Sequence, residues 1–125
     1  MENEKSPFKG KTGLQRIVNA TGYSFAGLRD AFRHEDAFRQ EVLLAAVLVP
    51  LAFLFQVSAL ERAVMIASVL LVLIVELLNS AVEATVDRVS LDRHELAKRA
   101  KDIGSAAVFL SLANVAVVWG LILLA

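Results

Sequence analysis

Two glutamates stand seven residues apart in an otherwise apolar stretch of the chain: Glu76 and Glu83, in the segment ELLNSAVEATVD. From Ala63 to Val75 there is no charged side chain, and Glu76 then arrives without a neighbouring cation. An ionisable group at bilayer depth costs at least about 2.5 kcal/mol on the most lenient insertion scale, so two on one segment point to a use. At about 100° per residue, Glu76, Asn79, Ser80, Glu83 and Asp87 fall in one helical sector roughly 100° wide, with Thr85 on the opposite side. The two glutamates are then about 10 Å apart along the axis, one deeper and within reach of a lipid head group, the other nearer water. Oxygen-rich donors of this kind suit Mg²⁺ or Mn²⁺ better than zinc or copper. A partly desolvated carboxylate is also a competent base towards an alcohol. A stripe that only ties helices together would use the same residue types. Two glutamates and an amide on one face favour chemistry.

Two further clusters carry charge. In HELAKRAKDIGS, Lys98, Lys101, Asp102 and Ser105 share a helical face at three- and four-residue spacing. They suit phosphate binding, although cations at a helix end also serve as anchors among lipid head groups. In HEDAFRQE, Glu35, Arg39, Gln40 and Glu41 precede an apolar run, and a solvated helix start explains them equally well.

The elements that must position these residues are membrane helices. Of 125 residues 57% are hydrophobic, the mean hydropathy is +0.60 and cysteine is absent. The lack of cysteine excludes disulfides, thiolate metal sites and cysteine nucleophiles. Ile103–Ala125 is uncharged over 23 residues, enough to cross a hydrocarbon core about 30 Å thick. Val42–Phe55 is a second apolar run, with Pro50 as an expected kink, and the glutamate segment is the third. The expectation is one all-α integral membrane domain over 1–125: a flexible tail at 1–12, a surface helix at 13–34, and transmembrane helices at about 36–58, 62–88 and 98–124. No secretory signal is visible ahead of the first run. Residues 1–41 hold seven Lys or Arg and 87–102 five more, against Arg62 alone between the first two spans. The positive-inside rule therefore places the N-terminus and the 87–102 connection in the cytoplasm, and the Arg62 turn and C-terminus outside. Before the first span, Leu14, Ile17, Val18, Thr21, Phe25, Leu28 and Phe32 follow helical spacing, with Arg16, Asn19, Arg29 and Arg33 between them. This is the pattern of an amphipathic helix on the inner leaflet, broken near Gly22. Packing on its own bundle fits the same spacing, and the basic residues favour the lipid surface.

There is no GxxxxGK[ST] phosphate loop and no kinase-type HRD or DFG, and His34 and His94 are too far apart for a helical metal pair. Residue types alone leave two classes open: an enzyme acting on lipid head groups, and a small proton-coupled transporter subunit using Glu76 and Glu83 as a relay.

ELLNSAVEATVDRV followed by HELAKRAKDIGSAAV resembles the signature of the prokaryotic diacylglycerol kinase family, and the similarity extends through GYSFAGLRDAFRHEDAFRQE. The resemblance implies a three-span homotrimer in the bacterial inner membrane, multi-pass, with a cytoplasmic N-terminus and a periplasmic C-terminus. It implies ATP-dependent phosphorylation of diacylglycerol with Mg²⁺, membrane lipids as surroundings and no nucleic-acid partner. Asn79-Ser80 and Gly104-Ser105 favour the diacylglycerol branch over the related undecaprenol kinases. Carried over by position, Glu76 is the general base, supported by Asn79, and Glu35 and Glu83 hold the metal. Arg16, Tyr23, Glu35, Glu83, Lys101 and Asp102 would bind nucleotide, and Arg39, Glu41, Glu76 and Ser105 the lipid substrate. Departures are local: Phe25 and Phe32 replace tryptophan, and Arg93 replaces an aromatic residue. A thin three-span bundle is also expected to need other subunits to shield its glutamates from lipid.

Overall fold

A computed structural model describes residues 12–89 and 94–125. The tail expected over 1–12 lies outside the described residues except for Thr12, and so does Arg93. Four helices make up the described chain: α1 (Gly13–His34), α2 (Asp36–Ala52), α3 (Ala59–Val89) and α4 (Glu95–Leu124). The most extensive packing joins α3 to α4, then α2 to α3, and α1 meets α2 over a smaller contact. At about 1.5 Å per residue, α3 with 31 residues and α4 with 30 each run about 45 Å, longer than the hydrocarbon core. Both are long and apolar enough to cross a membrane.

Local chemistry sets the helix ends. Gly13 opens α1 with φ +68°, a conformation that suits a residue without Cβ. The helix then runs unbroken through Gly22, where a break was expected. Its last turn carries Arg33 and His34, which complement the negative end of the helix dipole. Glu35 adopts extended angles (φ −115°, ψ 110°) and serves at once as the last cap of α1 and the first of α2. The two helices thus meet at a one-residue elbow. Arg39 closes this elbow by donating from Nη1 to the carbonyls of Phe32 (2.7 Å) and Arg33 (2.8 Å), while its Nη2 pairs with Asp36. At the start of α3, Ser58 and Glu61 form a reciprocal capping box, with Ser58 N–H donating to Glu61 Oε1 and Glu61 N–H to Ser58 Oγ. His94 caps α4 by accepting from Leu96 N–H through Nδ1 at 3.0 Å.

The helix expected over 36–58 ends instead at Ala52, two residues after Pro50. Proline cannot donate to the carbonyl four residues back, which weakens the helix locally. The chain then tightens, with Phe53 N–H donating to Pro50 O and Leu54 N–H to Leu51 O. Arg62 takes up the released carbonyls, donating to Ala52 O, Phe55 O and Val57 O at 3.0, 3.0 and 3.4 Å. Its guanidinium also lies 5.6 Å from the Phe53 ring centroid. At 17 residues α2 is the shortest helix, about 25 Å.

Beside this turn sits the apolar core, where Ala45, Ala52, Met65, Val69 and Trp119 are buried together. The Trp119 indole donates to Met65 O at 3.2 Å and meets Phe55 edge-on at 6.4 Å, which locks α4 to α3. Arg62→Met keeps the aliphatic stem but removes the side-chain donor to three carbonyls, of which Phe55 O still accepts from Val57 N–H. Hydrogen bonds from a charged group contribute about 1.5–3 kcal/mol each, and this one site is partly exposed, so a net loss of about 2 kcal/mol is expected. Detergent denaturation followed by the single tryptophan, Trp119, measures it; an unchanged midpoint would contradict the capping role.

Candidate active site

The inward face of α3 changes character along its length. Met65, Ser68, Val69 and Val72 are buried at three- and four-residue intervals, and Glu76 continues the same stripe at 4% exposure. Asn79, Ser80 and Glu83 follow, half-buried, and Asp87 ends the series in the open. The register that packs the core therefore points the carboxylates inward, because side chains 3.6 residues apart share a face. Glu76 is covered within this chain, whereas Glu83 on the same face stays half-exposed. Both α2 and α4 pack on α3.

Around Glu76 the structure gathers side chains from α2, α3 and the α1–α2 elbow, with α4 packed alongside. Ser80 Oγ donates to Glu76 Oε2 at 3.3 Å, one turn along α3. Glu41 of α2 brings its carboxyl group against that of Glu76, with Oε1 buried and without a hydrogen-bond partner. Glu83 and the elbow residue Glu35 both lie within electrostatic reach of Glu76. From α4, Lys101 Nζ reaches across to Asp87 Oδ1 at 2.7 Å and also feels Glu83. Asn79 rests against α4 at Gly104, with its Oδ1 buried and unpaired.

A cleft of about 640 Å³ opens beside this cluster, between the C-terminal half of α1 and α3. Asp30, His34, Glu35, Leu77 and Ser80 line it, so it touches both the elbow and the residue bonded to Glu76. The arrangement offers a buried carboxylate, additional carboxylates of hard-oxygen type and a cation on the facing helix. Proton abstraction and the binding of a phosphate with its counter-cation are within the means of such a set. Among the described residues no group of three or more His, Asp or Glu side chains is already gathered for a metal ion.

The other residues singled out in the sequence lie apart from this cluster. Arg16 and Tyr23 are exposed on α1, Tyr23 at 70%. Arg39 is turned to the carbonyl end of α1. Lys101 and Asp102 do not pair with each other: Asp102 accepts from Lys98 Nζ at 2.7 Å on the exposed side of α4, where Ser105 is also exposed. The Asp87–Lys101 bridge and the Asn79–Gly104 contact were not anticipated. Each joins residues from different helices, and helical spacing reports only neighbours on one helix.

Comparison with known proteins covers most of the chain. A family model described as prokaryotic diacylglycerol kinase matches residues 22–123. A diacylglycerol kinase of Pseudomonas aeruginosa is 68% identical over 119 residues, covering 95% of this chain and 97% of the relative. Those of Haemophilus influenzae and Escherichia coli K12 are 54% and 48% identical over 112 residues, each covering 90% of this chain and 95% and 92% of the relative.

The opposed carboxyl groups of Glu41 and Glu76 leave one buried oxygen unsatisfied. Glu41→Gln removes a like charge and supplies a donor, so detergent-denaturation stability is expected to rise by about 1 kcal/mol. A lowered midpoint would mean that the Glu41 carboxylate is itself needed by the fold.

Proposed function

The chain belongs to the prokaryotic diacylglycerol kinase family, and from that membership we propose that it transfers the γ-phosphate of ATP to the free hydroxyl of diacylglycerol. The observation that carries this reading is Glu76, a carboxylate buried on the inward face of a membrane-length helix beside a cleft. Glu76 accepts the hydroxyl proton as the hydroxyl oxygen bonds to the γ-phosphorus. The bond from phosphorus to the β–γ bridging oxygen breaks, and phosphatidic acid and ADP leave. Asn79 and Ser80 hold the surroundings of Glu76, and the family resemblance assigns Glu41, which faces Glu76, to the lipid substrate.

The donor set fits Mg²⁺. Glu35 and Glu83 offer hard carboxylate oxygens near Glu76, and Mg²⁺ in phosphoryl-transfer sites commonly takes one or two carboxylates and completes its shell with phosphates and water. When bound, the ion neutralises charge on the transferring phosphates. Lys101 adds positive charge from α4, and Arg16, Tyr23 and Asp102 engage the rest of the nucleotide. The family resemblance assigns Arg39 and Ser105 to the lipid substrate, which for Arg39 requires release from the carbonyls of Phe32 and Arg33.

In this reading α2 is the third crossing, with Arg62 on the outer side, and α1 lies on the inner leaflet of the bacterial inner membrane. Leu14, Ile17, Val18, Phe25, Leu28 and Phe32 are exposed on α1, interleaved with Arg16, Arg29 and Arg33, which suits an anionic lipid surface. The N-terminus is cytoplasmic and the C-terminus periplasmic. The wide exposed apolar faces of α3 and α4 suit lipid contact and association as a homotrimer.

Label transfer from γ-labelled ATP in Mg²⁺-containing mixed micelles tests the function, with diacylglycerol and undecaprenol offered in parallel. Label in phosphatidic acid is expected. Label in undecaprenyl phosphate alone would move the chain to that substrate, and label in neither would leave the proton-relay reading of the glutamates. Glu83→Gln and Glu35→Gln are each expected to raise the Mg²⁺ concentration for half-maximal rate by about tenfold, in line with loss of a ligand-level contact. An unchanged Mg²⁺ titration would remove that residue from the metal site.

A further inference from the structure

Gly104 lies in the interior of α4, where it faces Asn79 of α3. A Cβ at this position would overlap Asn79 Oδ1 and stand 3.1 Å from its Cγ. At Gly22, Gly27 and Gly120 a Cβ would meet nothing within 4 Å. Glycine in a helix interior is unfavourable relative to alanine, so its occurrence at a tight contact calls for a packing explanation. A second observation concerns the partner. Asn79 Oδ1 is buried and has no hydrogen-bond donor from the protein, a state that is costly unless packing holds it or a ligand satisfies it. Asn79 also sits one turn from Glu76 on the same face of α3.

We propose that Gly104 is a positioning residue for the phosphoryl transfer put forward above: lacking a side chain, it admits the Asn79 amide against the α4 backbone and so fixes the polar stripe of α3 beside Glu76. The small residue acts within one chain, joining α3 to α4. Gly104 touches no substrate. Its effect passes through the Asn79 side chain, which a methyl group at position 104 would displace. Displacements of about 1 Å around reacting groups can lower turnover by about a hundredfold. Because the inference rests on the kinase reading, its test includes a readout that does not depend on turnover.

The side-chain ¹⁵N–¹H₂ signals of Asn79, assigned by their loss in Asn79→Ala, are expected to shift in Gly104→Ala and stay in place in Gly120→Ala. In the label-transfer assay, Gly104→Ala is expected to lower kcat about tenfold or more while KM for ATP and lipid stays within about threefold. Gly120→Ala is expected to match the wild type. In an Asn79→Ser background, whose shorter side chain leaves room, Gly104→Ala should cost less than about twofold more, as expected of coupled positions. Unmoved Asn79 signals, wild-type turnover in Gly104→Ala, or the same loss in both backgrounds would overturn the proposal. If Gly104→Ala alone does not fold, the Asn79→Ala/Gly104→Ala pair decides. It folds if the amide is what the methyl group strikes, and its failure to fold overturns the proposal. Moved Asn79 signals in Gly104→Ala, together with a wild-type protein that transfers no label, would reject the kinase reading, and the positioning role with it, while the helix contact remained.

Discussion

The burial of one carboxylate, Glu76, sets the terms for the rest of the molecule. It lies on the stripe of α3 that packs Met65, Val69 and Val72 into the core, so its direction is decided by the same helical register that decides the packing. A carboxylate moved out of water must be compensated by neighbouring polar groups. Ser80 on α3 donates to it, while Glu41 of α2 and Glu35 at the α1–α2 elbow bring further carboxylates that repel its charge, and Asn79, one turn away on α3, is held against Gly104 of α4. Moving the register of α3 by one residue would turn the carboxylate and the core residues outward together.

The two ends of the bundle divide the work. At one end, Trp119 bonded to Met65 and Arg62 bonded to three carbonyls of the α2–α3 turn hold the three packed helices in place. At the other, contacts are polar and more exposed: Lys101 with Asp87, Lys98 with Asp102, Arg39 with the end of α1. Exposed ion pairs contribute little to stability. Such an end can rearrange around a substrate while the apolar end keeps α3 aligned. α1, attached mainly through the Glu35 elbow, is the helix with the least packing to lose on moving.

Much of this was legible in the sequence because it is local. The sector shared by Glu76, Asn79, Ser80, Glu83 and Asp87 follows from helical periodicity alone, and the buried and half-buried positions of α3 fall on it. The charged clusters around Glu35 and Lys101 likewise mark helix ends. What was not legible depends on contacts between helices. Pro50 reads as a kink in a longer helix, yet α2 stops at Ala52, where Arg62, ten residues on, caps the last carbonyl and ties down the turn that follows. Lys101 and Asp102 are adjacent in sequence, but helical geometry points them apart, one to Asp87 and the other to Lys98. The role of Gly104 follows from an absent side chain and a facing amide on α3, which spacing along one helix cannot reveal.

The measurement that bears most directly on the central claim is the turnover of Glu76→Gln, made on protein whose Trp119 fluorescence and denaturation midpoint match the wild type. Gln keeps the shape and the Ser80 contact while removing the capacity to accept a proton at that position. If Glu76 is the base, phosphorylation of diacylglycerol falls by at least about a hundredfold, the range expected for loss of general-base catalysis. Turnover equal to the wild type would contradict the account and leave the buried carboxylate with a structural role only.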